Sequence, residues 1–349
     1  MSERKLNVGV IGIGCVSVAH LNAYSQYSRA NLYAICDNDN AWLPDAAKLY
    51  NPEKSFLDYR EMLRDPKLEA VSICLPTKLH AEASIDALRA GKHVLCEKPM
   101  ALNADEALEM KKAAEASGKK LMISQNQRLE ENVQLIKRYA EEGFFGDIYL
   151  MRIGCRREMG FMPPCNMKRP NGQSYNRNFF NEKDNGGGVL RDLGSHLLDL
   201  ALYIADFPKP VSVTSGLYKK FYPEGYDPEK YVCDSEDMAV AQIAYDNGLT
   251  MQLEVSFGSY VAEGLVFTEI YGSKGGASRR NGKLRFIKYE NNSMVEIHID
   301  KYDFVSKCAM HRFVDAVLDD TDVPIPASEG VKVIEVLDAI YEAAGDIKH

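Results

Sequence analysis

Along the first 125 residues, short apolar runs alternate with stretches whose apolar positions recur every three to four residues. Leu6–Ile11, Ala30–Cys36, Ala70–Leu75, His93–Cys96 and Lys120–Ser124 have the length and character of buried strands. Between them, Val16–Tyr27, Leu79–Ala90 and Ala104–Ser117 carry helical periodicity. The last begins after Asn103 with Glu106 three residues on and ends before Gly118, the signals of a helix capped at both ends. Buried strands separated by amphipathic helices predict a parallel sheet wrapped by helices.

Beyond about residue 125 the rhythm changes. A helix is predicted over Glu131–Glu142 and a strand from Ile148. A polar stretch then runs to Gly188, with Pro163, Pro164, Pro170 and six asparagines, before a helix over Val189–Ile204. Period-2 stretches follow at Val211–Leu217, Met238–Tyr245, Leu249–Phe257, Leu265–Tyr271 and Leu284–Tyr289, with turns such as Asp246-Asn247-Gly248 between them. That succession predicts an antiparallel sheet. Helices over Lys307–Leu318 and Ser328–Ala344 close the chain. A chain of 349 residues exceeds what one core usually serves, and the change of rhythm divides it into domains 1–125 and 126–349.

Composition narrows the function. Lys+Arg 42 against Asp+Glu 50 gives a net charge of -8, which argues against a nucleic-acid partner or an acidic membrane surface. No apolar run reaches the roughly 18 residues of a membrane span. The eight cysteines include no C-x-x-C pair, and the first four lie in or beside apolar runs, so reduced thiols in a cytoplasmic protein are expected.

Five places along the chain carry candidate chemistry. Gly12-Ile13-Gly14-Cys15-Val16-Ser17 follows the first strand and opens the first helix, where bare backbone lets a pyrophosphate approach the helix N-terminus. Ser17 replaces the third glycine of that pattern. Asp37 ends the second strand, 20 residues after Ser17, where a carboxylate accepts both ribose hydroxyls. It repels a 2'-phosphate, and Asn38, Asp39 and Asn40 include no basic residue, so NAD is expected over NADP. Glu97-Lys98-Pro99 follows the strand ending at Cys96, at the edge of the sheet where ligands bind. In the predicted helix after Gly186-Gly187-Gly188, Asp192 and His196 stand four apart on one face, so the carboxylate can orient an imidazole for acid–base work. A metal site from Asp192, His196 and Asp199 is the rival, and no Cys or second His at ligand spacing supports it. Residues 152 to 191 hold eight basic residues and three acids. They are read either as a solvated loop or as a cleft wall for an anionic or hydroxyl-rich ligand.

Taken in order, Gly12-Ile13-Gly14 with His20, Leu75-Pro76-Thr77-Lys78-Leu79-His80, Ala90-Gly91-Lys92-His93-Val94 leading into Glu97-Lys98-Pro99, Asn126-Gln127-Arg128 and Gly186 to Asp199 resemble the Gfo/Idh/MocA oxidoreductases over nearly the whole chain. The family usually has Asn at the place of Thr77, and often Gly or Ala at that of Ser17. The resemblance implies an α/β fold: an N-terminal Rossmann dinucleotide-binding domain and a C-terminal α/β domain with an open, mostly antiparallel sheet, through which a homodimer or homotetramer forms. It implies NAD held by Gly12, Ile13, Gly14, Val16, Asp37, Leu75, Pro76, Thr77, His80, Glu97, Lys98 and Asn126. It implies Lys98, Asp192 and His196 as catalytic residues, and a sugar or polyol substrate met by Lys98, Arg128, Arg156, Arg157, Tyr175, Asp192 and His196.

The expected activity is NAD-dependent oxidation, or the reverse reduction, of a secondary ring hydroxyl of a pyranose sugar, glycoside or cyclitol. His196 is the acid–base candidate and Lys98 the group that stabilises the alkoxide; the two roles can be exchanged. The alternatives are an NAD-dependent glycosidase acting through transient oxidation at C3, and a non-catalytic NAD(P)-binding regulator.

Overall fold

The computed structural model describes residues 4–159, 169, 181–222, 226–230, 232–299 and 307–348. These form two compact units. The first takes the residues up to Gln125 together with Arg169 and Lys307–Ile334, and the second takes the remainder.

The first unit is built on β1 (Leu6–Ile11), α1 (Ser17–Gln26), β2 (Ala30–Cys36), α2 (Leu43–Tyr50), β3 (Lys54–Phe56), α3 (Tyr59–Leu63), β4 (Ala70–Ile73), α4 (His80–Arg89), β5 (His93–Cys96), α5 (Ala104–Ser117) and β6 (Leu121–Ile123). The strands form a parallel sheet in the order β3-β2-β1-β4-β5-β6, the doubly wound Rossmann arrangement. Val8, Val10, Ile35, Val71, Val94 and Leu95 are wholly buried, which is why these strands read as continuous apolar runs. The capping signals at α5 form: Asn103 accepts from Glu106 N–H at 2.9 Å, the Glu106 carboxylate accepts from Leu102 N–H at 3.1 Å, and Gly118 turns left-handed. The order reverses between β1 and β4, so the crevice for a ligand opens at the carboxyl ends of these strands.

The second unit contains α6 (Glu131–Glu141), β7 (Ile148–Glu158), α7 (Glu182–Asn185), a π-helical turn (Leu190–Gly194) running into α8 (Ser195–Ile204), and then β8 (Pro210–Tyr218), β9 (Met238–Tyr245), β10 (Thr250–Ser259), β11 (Leu265–Gly272), β12 (Gly275–Arg280), β13 (Lys283–Glu290) and β14 (Ser293–His298). Its eight strands lie in the order β14-β13-β12-β11-β7-β10-β9-β8, antiparallel throughout except where β7 runs parallel to β10. The fold is thus the expected α/β pairing of a Rossmann sheet with a mostly antiparallel one.

Two helices close the chain, α9 (Ala309–Leu318) and α10 (Ala327–Ala344). Lys307–Ile334 groups with the first unit, although the division at 126–349 put it in the second. The contacts explain this: Ile123 N–H donates to Ile325 O at 3.1 Å, and Arg29 reaches Asp315 at 2.5 Å and Asp319 at 2.9 Å. Among the described residues no helix is long and apolar enough to cross a membrane.

Candidate active site

The turn between β1 and α1 is shaped for a ligand on its outer side. Gly12 has φ +88°, and a Cβ there would lie 2.6 Å from the Cys74 carbonyl oxygen, so this position requires glycine. A Cβ on Gly14 would meet nothing within 4 Å, so the backbone there faces open space. No side chain caps the N-terminus of α1, and its first turn has no acid, leaving its N–H groups and positive dipole end for an anion. Ser17, buried in the third glycine's place, donates its hydroxyl to Gly14 O at 2.7 Å. Cys15 and Val16 are exposed and Ile13 is buried.

Asp37 sits at the end of β2, where its carboxylate accepts from Ile13 N–H at 2.7 Å and from Asp39 N–H at 2.8 Å. Those two bonds orient it and leave each oxygen a lone pair for a ribose hydroxyl. Bare backbone at Gly12 and Gly14, an uncapped helix start and an oriented carboxylate fit an adenine dinucleotide.

The turns after β4 and β5 are tied together from inside. His80 is buried, with Nδ1 2.8 Å from Pro99 O and Nε2 2.8 Å from Leu75 O. Burial pushes its pKa down and the two carbonyls oppose that. Buried between two backbone carbonyls, with one N–H to donate when neutral, His80 bridges the two loops. Thr77 is buried beside it, whereas Leu75 is half-buried and Pro76 exposed.

Glu97 is buried directly before Lys98, whose peptide bond to Pro99 is cis. Its carboxylate lies 2.8 Å from His20 Nε2, and His20 Nδ1 lies 3.1 Å from Ser72 Oγ, itself 2.6 Å from the Tyr24 hydroxyl. Nε2–H donates to Glu97, while Ser72 either donates to Nδ1 of a neutral ring or accepts from Nδ1–H of a charged one and passes its own proton to Tyr24. Burial alone would raise the Glu97 carboxyl. The His20 bond and charge, the Ser124 hydroxyl and the Lys98 ammonium more than offset that and hold it below the usual carboxylate range. Through this chain the helix that starts at the glycine turn is locked to the turn that presents Lys98, which is half-buried.

In the second unit the triple glycine is packing. A Cβ on Gly188 would run into the backbone of Glu236, and one on Gly187 (φ +149°) into the Tyr341 hydroxyl. The buried Glu236 carboxylate accepts from Gly188 N–H at 2.8 Å, Leu190 N–H at 3.0 Å and the Tyr341 hydroxyl at 2.9 Å, capping the helix start that follows. Burial raises its pKa, and those three donors work against the rise. Beyond this cap the backbone departs from the regular helix expected over Val189–Ile204, because Ser195 N–H reaches back five residues to Leu190 O. Asp192 lies in the π turn and His196 in the first turn of α8, about one turn apart and both half-buried. Glu236 and Tyr341 set this segment's geometry, yet neither stands out in sequence, lying 48 and 153 residues from Gly188 with no spacing pattern linking them.

Among the described basic residues, four pair with carboxylates on different elements instead of lining one wall. Arg156 and Arg157 point to opposite faces of β7, as neighbours on a strand must. Arg156 pairs with Glu254 on β10 at 3.5 Å. Arg157 shares its face with Cys155, whose thiol is pushed up by burial, drawn down by Arg157 and raised by the charge of Asp192. Arg152 pairs with Glu269 at 3.5 Å, Arg191 with Asp338 at 2.7 Å, and Arg169 with Asp39. Arg128, expected at the substrate, has a side chain 1% exposed that forms a two-pronged pair with Asp199 and lies over the rings of Tyr203 and Phe207. Asn126 opens the short 3-10 turn Asn126–Leu129 and is exposed. Tyr175 lies outside the described residues. Among the described residues no cluster of His, Cys, Asp and Glu has the makings of a metal site.

A glycine turn at an uncapped helix start, an oriented carboxylate at the end of β2 and a lysine after β5 are the features of a Rossmann-type oxidoreductase. Residues 6–125 match the oxidoreductase family with NAD-binding Rossmann fold, and residues 133–278 match the GFO/IDH/MocA C-terminal domain. The chain belongs to the Gfo/Idh/MocA family of NAD-binding oxidoreductases. It is 27% identical over 361 residues to D-glucoside 3-dehydrogenase of Escherichia coli, covering 99% of this chain and 97% of that protein. It is 30% identical over 199 residues to myo-inositol 2-dehydrogenase of Thermotoga maritima, covering 57% of this chain and 54% of that protein. Its fold matches that of levoglucosan dehydrogenase, solved with NADH and levoglucosan, with a TM-score of 0.83 at 24% identity over 98% of this chain and 97% of the other.

Proposed function

We propose that this protein is an NAD-dependent dehydrogenase of a secondary ring hydroxyl in a pyranose sugar, glycoside or cyclitol, running as oxidation or as the reverse reduction. The observation that carries this reading is Lys98, fixed at the carboxyl end of β5 by a buried chain that begins on the cofactor helix α1. Bound NAD supplies the two-electron acceptor for the carbon-bound hydrogen. Gly12, Ile13, Gly14, Val16 and Asp37 hold the dinucleotide, with Leu75, Pro76, Thr77, Glu97, Lys98 and Asn126 lining its remaining length. Lys98 lowers the pKa of the substrate hydroxyl and stabilises the alkoxide, and His196 takes the proton, with Asp192 setting its orientation. The names of the relatives, which act on a glucoside and an inositol, support this substrate class. The deciding experiment incubates protein and NAD with hexoses, glycosides and inositols. An oxo-sugar with net NADH supports the reading, whereas a freed aglycone without net NADH supports a glycosidase instead.

A neutral substrate is favoured because Arg152, Arg156, Arg169 and Arg191 already face carboxylates. Accordingly, kcat/KM should vary little between low and high ionic strength, and Arg156→Ala should leave KM unchanged. A steep fall with salt would instead indicate an anionic sugar. A cytoplasmic homodimer or homotetramer joined through the second sheet belongs to the same proposal, and light scattering after size exclusion checks the subunit number.

A further inference from the structure

Trp42, the chain's single tryptophan, is buried just before α2 and donates its indole N–H to Ile13 O at 3.0 Å, bracing the glycine turn from behind. Arg169 lies with its guanidinium 5.2 Å over the Trp42 ring and pairs with the Asp39 carboxylate. Asp39 is itself part of the ribose corner. Its N–H donates to Asp37 Oδ1 at 2.8 Å, and its carboxylate also accepts from Ala41 N–H at 3.0 Å and Trp42 N–H at 3.2 Å. The Arg169 bond, followed in weight by burial acting the other way, holds the Asp39 carboxyl below its ordinary range. The side chain of Arg169 is 9% exposed and that of Asp39 35%, so the arginine end of the pair is buried while the carboxylate end reaches solvent.

This arrangement changes the argument for NAD. The residues beside Asp37 in sequence include no base, but folding brings an arginine from 130 positions downstream to the same corner. In dinucleotide folds an arginine near the end of the second strand accommodates the 2'-phosphate of NADP. Here its charge is already matched by a neighbouring carboxylate.

We propose that Asp39 and Arg169 form a cofactor-discriminating pair: Asp39 engages the arginine that would otherwise anchor a 2'-phosphate, so preference for NAD rests on Asp37 and Asp39 together. Removing the charge of Asp39 leaves the Arg169 charge unmatched by that carboxylate, so that it can bond a phosphate oxygen in a charge-assisted contact strong enough to be read as an affinity change.

The test measures Kd for NAD and for NADP on cofactor-free protein, by calorimetry and by Trp42 emission, so it does not depend on turnover. Asp39→Asn keeps an acceptor for the Ala41 and Trp42 N–H groups while losing the charge. It should tighten NADP by about tenfold and leave NAD within about twofold. Adding Arg169→Gln should return NADP to its original affinity. The pair has no discriminating role if Asp39→Asn does not tighten NADP, or tightens it equally without Arg169. Should Asp39→Asn fail to fold, Asp39→Ser, which keeps an oxygen acceptor for the Ala41 and Trp42 N–H groups, gives a second route. Its gain in NADP affinity should shrink by about threefold or more when Arg169→Gln is added, and equal gains overturn the proposal.

Discussion

Lys98→Ala should lower turnover by at least about 100-fold while NAD binds as before, the loss expected when a group that assists proton transfer in the transition state is removed. The lysine is held by structure it does not itself supply. Its backbone position is set by the buried Glu97–His20–Ser72–Tyr24 chain and by the His80 clamp between Leu75 O and Pro99 O. The alanine variant therefore keeps its turn and its fold, and calorimetry with NAD should report an unchanged Kd. His196→Ala should show a loss of similar size, and Asp192→Asn an intermediate one, because the amide keeps the size of the side chain but not its charge. Near-normal turnover in the Lys98 or His196 variant removes that residue from the proposed mechanism. Loss of NAD binding in the Lys98 variant would mean that the lysine holds the cofactor rather than the reacting hydroxyl.

How much of this was legible in sequence follows from how local each signal is. β1, β2 and β5 have the bounds their apolar runs predict, since strands buried on both faces write their length directly into composition. β3, β12 and β14 left no such trace: Lys54–Phe56 is three residues long, Gly275–Arg280 reads GGASRR, and Ser293–His298 is a mostly exposed edge strand. At the site, Gly12 and Asp37 were readable because a tight turn and a strand end are set by neighbours in the chain. The placement of the arginines was not. Arg156 and Arg157 differ only in which side of a strand they occupy, and Arg169 finds Asp39 across 130 residues. A segment carrying five surplus positive charges looks like a binding wall until the carboxylates facing Arg152, Arg156, Arg169 and Arg191 are located in space. Glu236 belongs to the same class, a buried carboxylate whose meaning lies in the three donors it collects.

Arg128→Ala should destabilise the protein by about 3–5 kcal/mol, the cost of breaking a buried ion pair from one side and stranding its partner's charge. The motif Asn126-Gln127-Arg128 suggested a substrate contact, but both members of the Arg128–Asp199 pair are 1% exposed. The pair joins the turn at Asn126–Leu129 to α8, with Tyr203 and Phe207 flanking the guanidinium and Gln134 donating to Arg128 O at 2.7 Å. A substrate ligand and a buried strut predict different measurements. Losing a ligand raises KM and leaves thermal stability alone. Losing the strut lowers Tm by on the order of 10 °C while the surviving folded fraction keeps its KM. Asp199→Ala should be at least as damaging, because it leaves an uncompensated guanidinium in the core. The double substitution Arg128→Met/Asp199→Leu should recover much of the loss, since apolar side chains of similar volume replace buried pairs at little cost. If Arg128→Ala melts like the parent protein and shows a raised KM, the pair is dispensable for the fold and Arg128 returns to the substrate.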